Sequence, residues 1–315
     1  MQWGDRRESD NVEDDRGNSG GGFRLGGTHI GIGTIVLALV LWKGCGIDPR
    51  VVLGLSQQIQ QAQNNAQGGA QSGLQSSAQG RQQVTDTPQS AADKKFVRVV
   101  LADTEDTWQQ VFAEHQATYQ PPKLVLFSGS IRSGCGAAEA AMGPFYCPAD
   151  QKVYLDMDFF KDMRSELGMQ AGQQSNGPAS NEAGDFARAY VIAHEVGHHV
   201  QNLLGIADKV QAARQNASKA QSNALSVRQE LQADCFAGVW ANRNQQRVHF
   251  LQAGDLDEAL NAATQIGDDR LQQRAQGYVV PDSFTHGTSA QRVHWFQAGF
   301  QAGKIESCDT FSQSI

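Results

Sequence analysis

The residues best suited to chemistry in this chain are His194-Glu195-Val196-Gly197-His198. On a helix, two imidazoles four residues apart leave one face about one turn from each other. That spacing lets both bind one Zn²⁺ at roughly 2.0–2.1 Å. Glu195 follows the first histidine, so it lies beside such a metal rather than on it, placed to take a proton from metal-bound water. Catalytic zinc usually takes three protein ligands and a water. The segment Arg228-Gln-Glu230-Leu-Gln-Ala-Asp234 offers the third. Its two acids are one helical turn apart, which suits Glu230 as a ligand and Asp234 as acceptor for the N–H of a ligating histidine. Paired histidines or acids also occur on solvated helix faces. Here the histidine motif lies among Val191, Ile192, Val196 and Val200, and Asp234 runs into Cys235-Phe-Ala-Gly-Val-Trp240. Burial of so many polar groups without partners would be costly, and a metal removes that cost.

Hydrolysis of an amide also needs a donor for the developing oxyanion. His286, in a loop before a helix, is the expected donor, with Arg292 and Tyr190 as alternatives. His199 points about 100° away from His198 and reads as a packing or surface residue.

These residues need rigid elements. Asp185 to Leu204 predicts a helix, with Asp185 as N-cap and Gly205 just beyond its C-terminus. Phe96 to Leu101 reads as a strand or helix start, and Thr104 to Tyr119 as a helix. Lys123 to Phe127 reads as a strand, as does Lys152 to Phe160, which alternates with period two. By analogy with zinc peptidases, the strand Val153 to Phe160 is expected to pair with an extended peptide. Strands followed by helices predict an α+β fold with a small sheet.

The rest of the chain divides by composition. Residues 1–24 are polar, charged and glycine-rich, and read as a tail. Residues 25–43 hold the uncharged run LGGTHIGIGTIVLALVLW, at the short end of the roughly 17–25 residues that span a bilayer. A long leader with more acids than bases, and no small-x-small site after the run, argue against a cleaved signal peptide. Residues 44–95 are rich in Gln, Ala, Ser and Gly, too poor in large apolar groups to offset ordering entropy, and read as a linker. The functional domain is then expected over 96–315. Of the 315 residues, 26 are basic and 33 acidic, a net charge of −7 with no basic cluster, which excludes a nucleic-acid partner. Five cysteines occur without a C-x-x-C pair. Cys135 and Cys147 can close a short loop, leaving Cys235 with Cys308, although four cysteines allow three connectivities. Two disulfides place the domain outside the cytoplasm. The Lys/Arg balance around the apolar run does not set an orientation.

H-E-x-x-H followed by E-x-x-x-D is similar to the glutamate-zincin arrangement of thermolysin-like peptidases. More closely, the chain resembles the bacterial neutral zinc metallopeptidases with one N-terminal membrane span. The matching segments are MQWGDRRESDNVEDDRG, SGCG…GPFYCPAD, KVYLDMDFF, AHEVGHHVQNLLG, ELQADCFAGVWA and HGTSAQRVHWFQAGF, in order along nearly the whole chain. The resemblance implies a zincin-like domain with Zn²⁺ on His194, His198 and Glu230, and Glu195 as base. It also implies a peptide or protein substrate and a bacterial inner membrane protein with its C-terminal domain in the periplasm. The rival expectations are a membrane-tethered zinc-binding interaction module without proteolysis, and a cell-wall amidase.

Overall fold

The computed structural model describes residues 1–17, 85–139, 143–158, 184–313 and 315. The expected transmembrane helix (25–43) and most of the expected linker lie outside these residues. Among the described residues, no helix is long and apolar enough to cross a membrane.

A four-stranded sheet has the order β1 (Val12–Asp14), β2 (Lys123–Phe127), β6 (Lys152–Asp156), β5 (Phe145–Cys147). The first two neighbour pairs are parallel, while β5 is antiparallel to β6. A separate hairpin joins β3 (Ser130–Ser133) to β4 (Gly136–Glu139). The helices are α1 (Pro88–Glu114), α2 (Asp185–Leu203), α3 (Ile206–Gln215), α4 (Lys219–Val248), α5 (Asp255–Gln265), α6 (Asp268–Gln276) and α7 (Ser289–Ala302). The molecule is thus mixed α+β with small sheets and helices, as expected from the sequence. The order differs, because α1 stands between β1 and β2.

Strand β6 does not alternate. Val153, Tyr154, Leu155 and Asp156 are all buried, because the central strands are covered on both faces, which favours continuous apolar runs. Leu124, Leu126, Val153 and Leu155 join the main core under the helices. Val125, Phe127, Tyr154 and Cys147 form a second, smaller core. Both edges of β6 are occupied by β2 and β5, so the expected pairing of β6 with a peptide is corrected.

Residues 1–17 are not a free tail. The backbone N–H of Leu124 donates to Asn11 O and that of Asp15 to Leu126 O, both at 2.8 Å, sealing β1 onto the sheet. Met1 is fully buried, and its amino group lies 3.0 Å from Asp255 Oδ1. Trp3 packs edge-on to Phe96 and donates from Nε1 to Asp185 Oδ2 at 2.7 Å. Ser9 is also fully buried and donates to Glu105 Oε1. The linker boundary moves as well. The side chain of Thr87 caps α1, Pro88 stands at its first turn, and one helix runs through to Glu114. Phe96 to Leu101 is therefore helix, and all of its residues but Arg98 are buried.

The helical layer is built on close approaches. A Cβ on Gly238 of α4 would lie 2.1 Å from Phe296 O, and one on Gly299 of α7 would lie 1.9 Å from Cys235 O. Two glycines thus let α4 and α7 cross with backbones in contact. The Cys235–Cys308 disulfide, with Cα atoms 5.5 Å apart, ties the end of the chain to α4. Cys135–Cys147 closes the loop around the hairpin. Both pairings match the connectivity read from spacing.

Candidate metal centre

Helix α2 carries the histidines. Gly184, in the left-handed conformation, stands at its N-terminus, and Asp185 is the first helical residue rather than the cap. The Asp185 carboxylate accepts instead from Trp3 and Arg188. At the far end Gly205, with φ of 68°, terminates the helix as expected. Almost all of α2 is buried, so the polar residues of the motif are held inside the core. Gly197, within the motif, faces α4. A Cβ there would lie 3.0 Å from Ala233 O, so the missing side chain lets α4 come close enough for its acids to reach the histidines.

His194, His198 and Glu230 converge, with one donor atom from each lying within 4.8 Å of the others. Glu230 Oε2 is 3.2 Å from His194 Nε2, and Oε1 is 3.4 Å from His198 Nε2. Tetrahedral zinc with bonds of roughly 2.0–2.1 Å separates its ligand atoms by about 3.3 Å. The donor set and these spacings fit zinc.

The second ring nitrogen of each imidazole is also held. His194 Nδ1 lies 2.8 Å from Asp234 Oδ1, so Nδ1 carries the proton and Nε2 faces Glu230. Asp234 is completely buried. Arg292 donates to it twice, from Nε and Nη2 at 2.8 Å each, and Tyr190 donates its hydroxyl proton. Arg292 and Tyr190 therefore hold Asp234. Burial would raise the Asp234 carboxyl, but Arg292 and His194 outweigh it and hold the group down at about 2. Burial disfavours the charged form of His194, yet Asp234 and Glu230 push its pKa up to about 10 in the metal-free protein. Glu195 is nearly buried, and desolvation raises its carboxyl despite the neighbouring histidines. Proton affinity of that kind suits a group that must accept and return a proton.

His286 is half exposed beside this cluster, and its Nδ1 lies 3.2 Å from Asp268 Oδ1. The other oxygen, Asp268 Oδ2, accepts the backbone N–H groups of Thr285, His286 and Gly287. The loop is thus wound around one carboxylate. The bond from Asp268 raises the His286 pKa, with Glu230 adding to it through space. Helix α7 is capped by Thr288 in a capping box with Gln291, so His286 is not needed as a cap. His199 is a packing residue: it is buried, with Nε2 2.6 Å from Gln120 O and Nδ1 3.1 Å from the Tyr146 hydroxyl.

The family model described as "Putative neutral zinc metallopeptidase" matches residues 1–311. The chain belongs to this family. Among curated relatives, the uncharacterized protein YpfJ of Escherichia coli (strain K12) is 50% identical, with all of both chains covered. The uncharacterized protein Mb2605 of Mycobacterium bovis is 41% identical over 69% of this chain and 72% of its own, and Rv2575 of Mycobacterium tuberculosis matches equally. No solved structure matches. Membership supports a zinc peptidase in general terms, and the His/Glu cluster is compatible with that metal.

Two residues at the site, Asp268 and Gln201, were not picked out by the sequence. Gln201 Oε1 lies 2.9 Å from His198 Nδ1. Its place three residues after His198 on the same helix was a usable signal. Asp268 had none, because it reaches His286 only through the folding of α6 onto the loop.

Proposed function

We propose that the chain is a metallopeptidase hydrolysing peptide bonds, with zinc held by His194, His198 and Glu230 and with Glu195 as the general base. The observation that carries this is the convergence of those ligands around a buried Glu195 that is not itself among them. When bound, zinc supplies a Lewis acid that polarises the scissile carbonyl and makes water acidic enough to deprotonate near neutral pH. Glu195 takes that water proton on its carboxylate and returns it to the leaving amine, its raised pKa favouring capture. Asp234, fixed by Arg292 and Tyr190, keeps the His194 proton on Nδ1. His286, oriented by Asp268 through Nδ1, turns Nε2 toward the developing oxyanion. An extended substrate meets the edge of β5 that is unpaired among the described residues, since β6 is enclosed. Attachment to a membrane through residues 25–43, outside the cytoplasm, is part of the same proposal.

The deciding comparison is a proteome-wide cleavage screen of the parent against Glu195→Gln, with zinc measured in both. Zinc equal in the two, with cleavage reduced at least 10²-fold in the variant, is the expected result. Equal cleavage would remove Glu195 from the mechanism. Equal zinc with no cleavage by either would leave a metal-binding interaction module.

A further inference from the structure

His194 and His198 are supported in different ways. Asp234, a carboxylate, holds the first, whereas a neutral amide, Gln201, holds the second. The direction of the bonds beyond Gln201 can be deduced. Gln201 is completely buried, and its Nε2 lies 2.7 Å from Gln229 O. A main-chain carbonyl only accepts, so the atom facing it must be the NH₂ group. The same NH₂ donates to Gln232 Oε1 at 3.0 Å. Gln232 in turn donates from Nε2 to Cys308 O at 2.9 Å. Each amide is thereby locked in one orientation, and Gln201 Oε1 is left facing His198. An oxygen there accepts, so His198 must carry its proton on Nδ1 and keep Nε2 open toward Glu230.

We propose that Gln201 is the positioning residue for His198, fixing its tautomer through a relay from Gln232 to the Cys308 carbonyl. The relay ends on the residue that Cys235 binds as a disulfide, and Cys235 follows Asp234 in α4. One covalent tie therefore secures the supports of both histidine ligands. This inference rests on the zinc reading above, and its effect is on the metal rather than on substrate. Outer partners of this kind typically change metal affinity by 10- to 100-fold.

The experiment uses the full chain loaded with zinc. Affinity is measured by competition with a chromophoric chelator, and the imidazole N–H groups are observed by ¹⁵N NMR with labelled histidine. Gln201→Met keeps the volume and removes the acceptor. Zinc affinity is expected to fall 10- to 100-fold, and the His198 Nδ1–H signal should be lost to solvent exchange. The His194 Nδ1–H signal, held by Asp234, should persist as an internal reference. Gln232→Met leaves Gln201 in place and removes one of its anchors, so a smaller loss in the same direction is expected even if Gln201→Met fails to fold. Affinity within twofold of the parent, with the His198 signal intact, would overturn the proposal. A parent chain that binds no zinc would instead overturn the metal reading itself.

Discussion

At the scale of single residues, the metal centre is a set of charges that is stable only as a set. Asp234 is completely buried between Arg292 and His194. Asp234→Asn should weaken zinc binding 10- to 100-fold and, by leaving the Arg292 guanidinium buried without a counter-charge, lower stability by about 3–5 kcal/mol. Chelator competition and denaturant melts separate the two effects. Protons compete with the metal for the same atoms. In the metal-free protein the His194 pKa is raised to about 10, against about 6.5 in an unfolded chain. A raised folded pKa stabilises fully below the unfolded value and loses that stabilisation as pH climbs through the folded one. The metal-free melting temperature should therefore fall between pH 7 and 10 relative to a His194→Gln variant. Zinc affinity should rise over the same window, because binding releases the proton. A parallel trend in the two measurements would contradict this account. The candidate ligand residues were legible because metal geometry imposes fixed spacings along a helix, and the local sequence carries them. Asp268 was not, since nothing near His286 in the sequence announces a carboxylate folded under its loop.

At the scale of elements, the site depends on how closely α2 and α4 approach. Gly197 faces the Ala233 backbone at the contact. Gly197→Ala must push the two helices apart by a few tenths of an ångström and so lengthen the distances from Glu230 to the histidines. Reduced zinc affinity with little change in helix content is the expected outcome, read by chelator competition beside circular dichroism. At the α4–α7 crossing, Gly299→Ala should destabilise by at least about 1–3 kcal/mol, the usual penalty of overpacking, because its Cβ would meet Cys235 O, a main-chain atom that cannot swing away. A variant melting like the parent would mean that the helices are not held together at this point. Helix α2 was legible from its apolar flanks and its terminal glycine. Helix α1 was legible only in its second half. Its first turns are polar, and they fold as helix because Thr87 and Pro88 start them and the core takes Phe96 and its neighbours.

At the scale of the molecule, the part least legible was the beginning. Residues 1–17 are charged and short of apolar groups, and their partners in α1, α2, α5 and β2 are far along the chain, so no local pattern marks Val12–Asp14 as a strand. The pairing of β1 with β2 fixes sidedness. Residues on the two flanks of the apolar run 25–43 belong to one folded unit, and a folded unit occupies one compartment. A single crossing by that run would put Met1 and the metal centre in different compartments and pull β1 from the sheet. On the proposed attachment, the run is expected to fasten the protein to a bilayer without separating β1 from the metal centre. In a Cys45→Ser background, cysteines placed at Asp10 and Tyr278, both exposed, should react alike with a membrane-impermeant maleimide in intact cells, either both labelled or both protected. Labelling of one alone would show that β1 and the metal centre part company in the membrane. Otherwise, whichever compartment oxidises the Cys235–Cys308 pair must also receive the first residues of the chain.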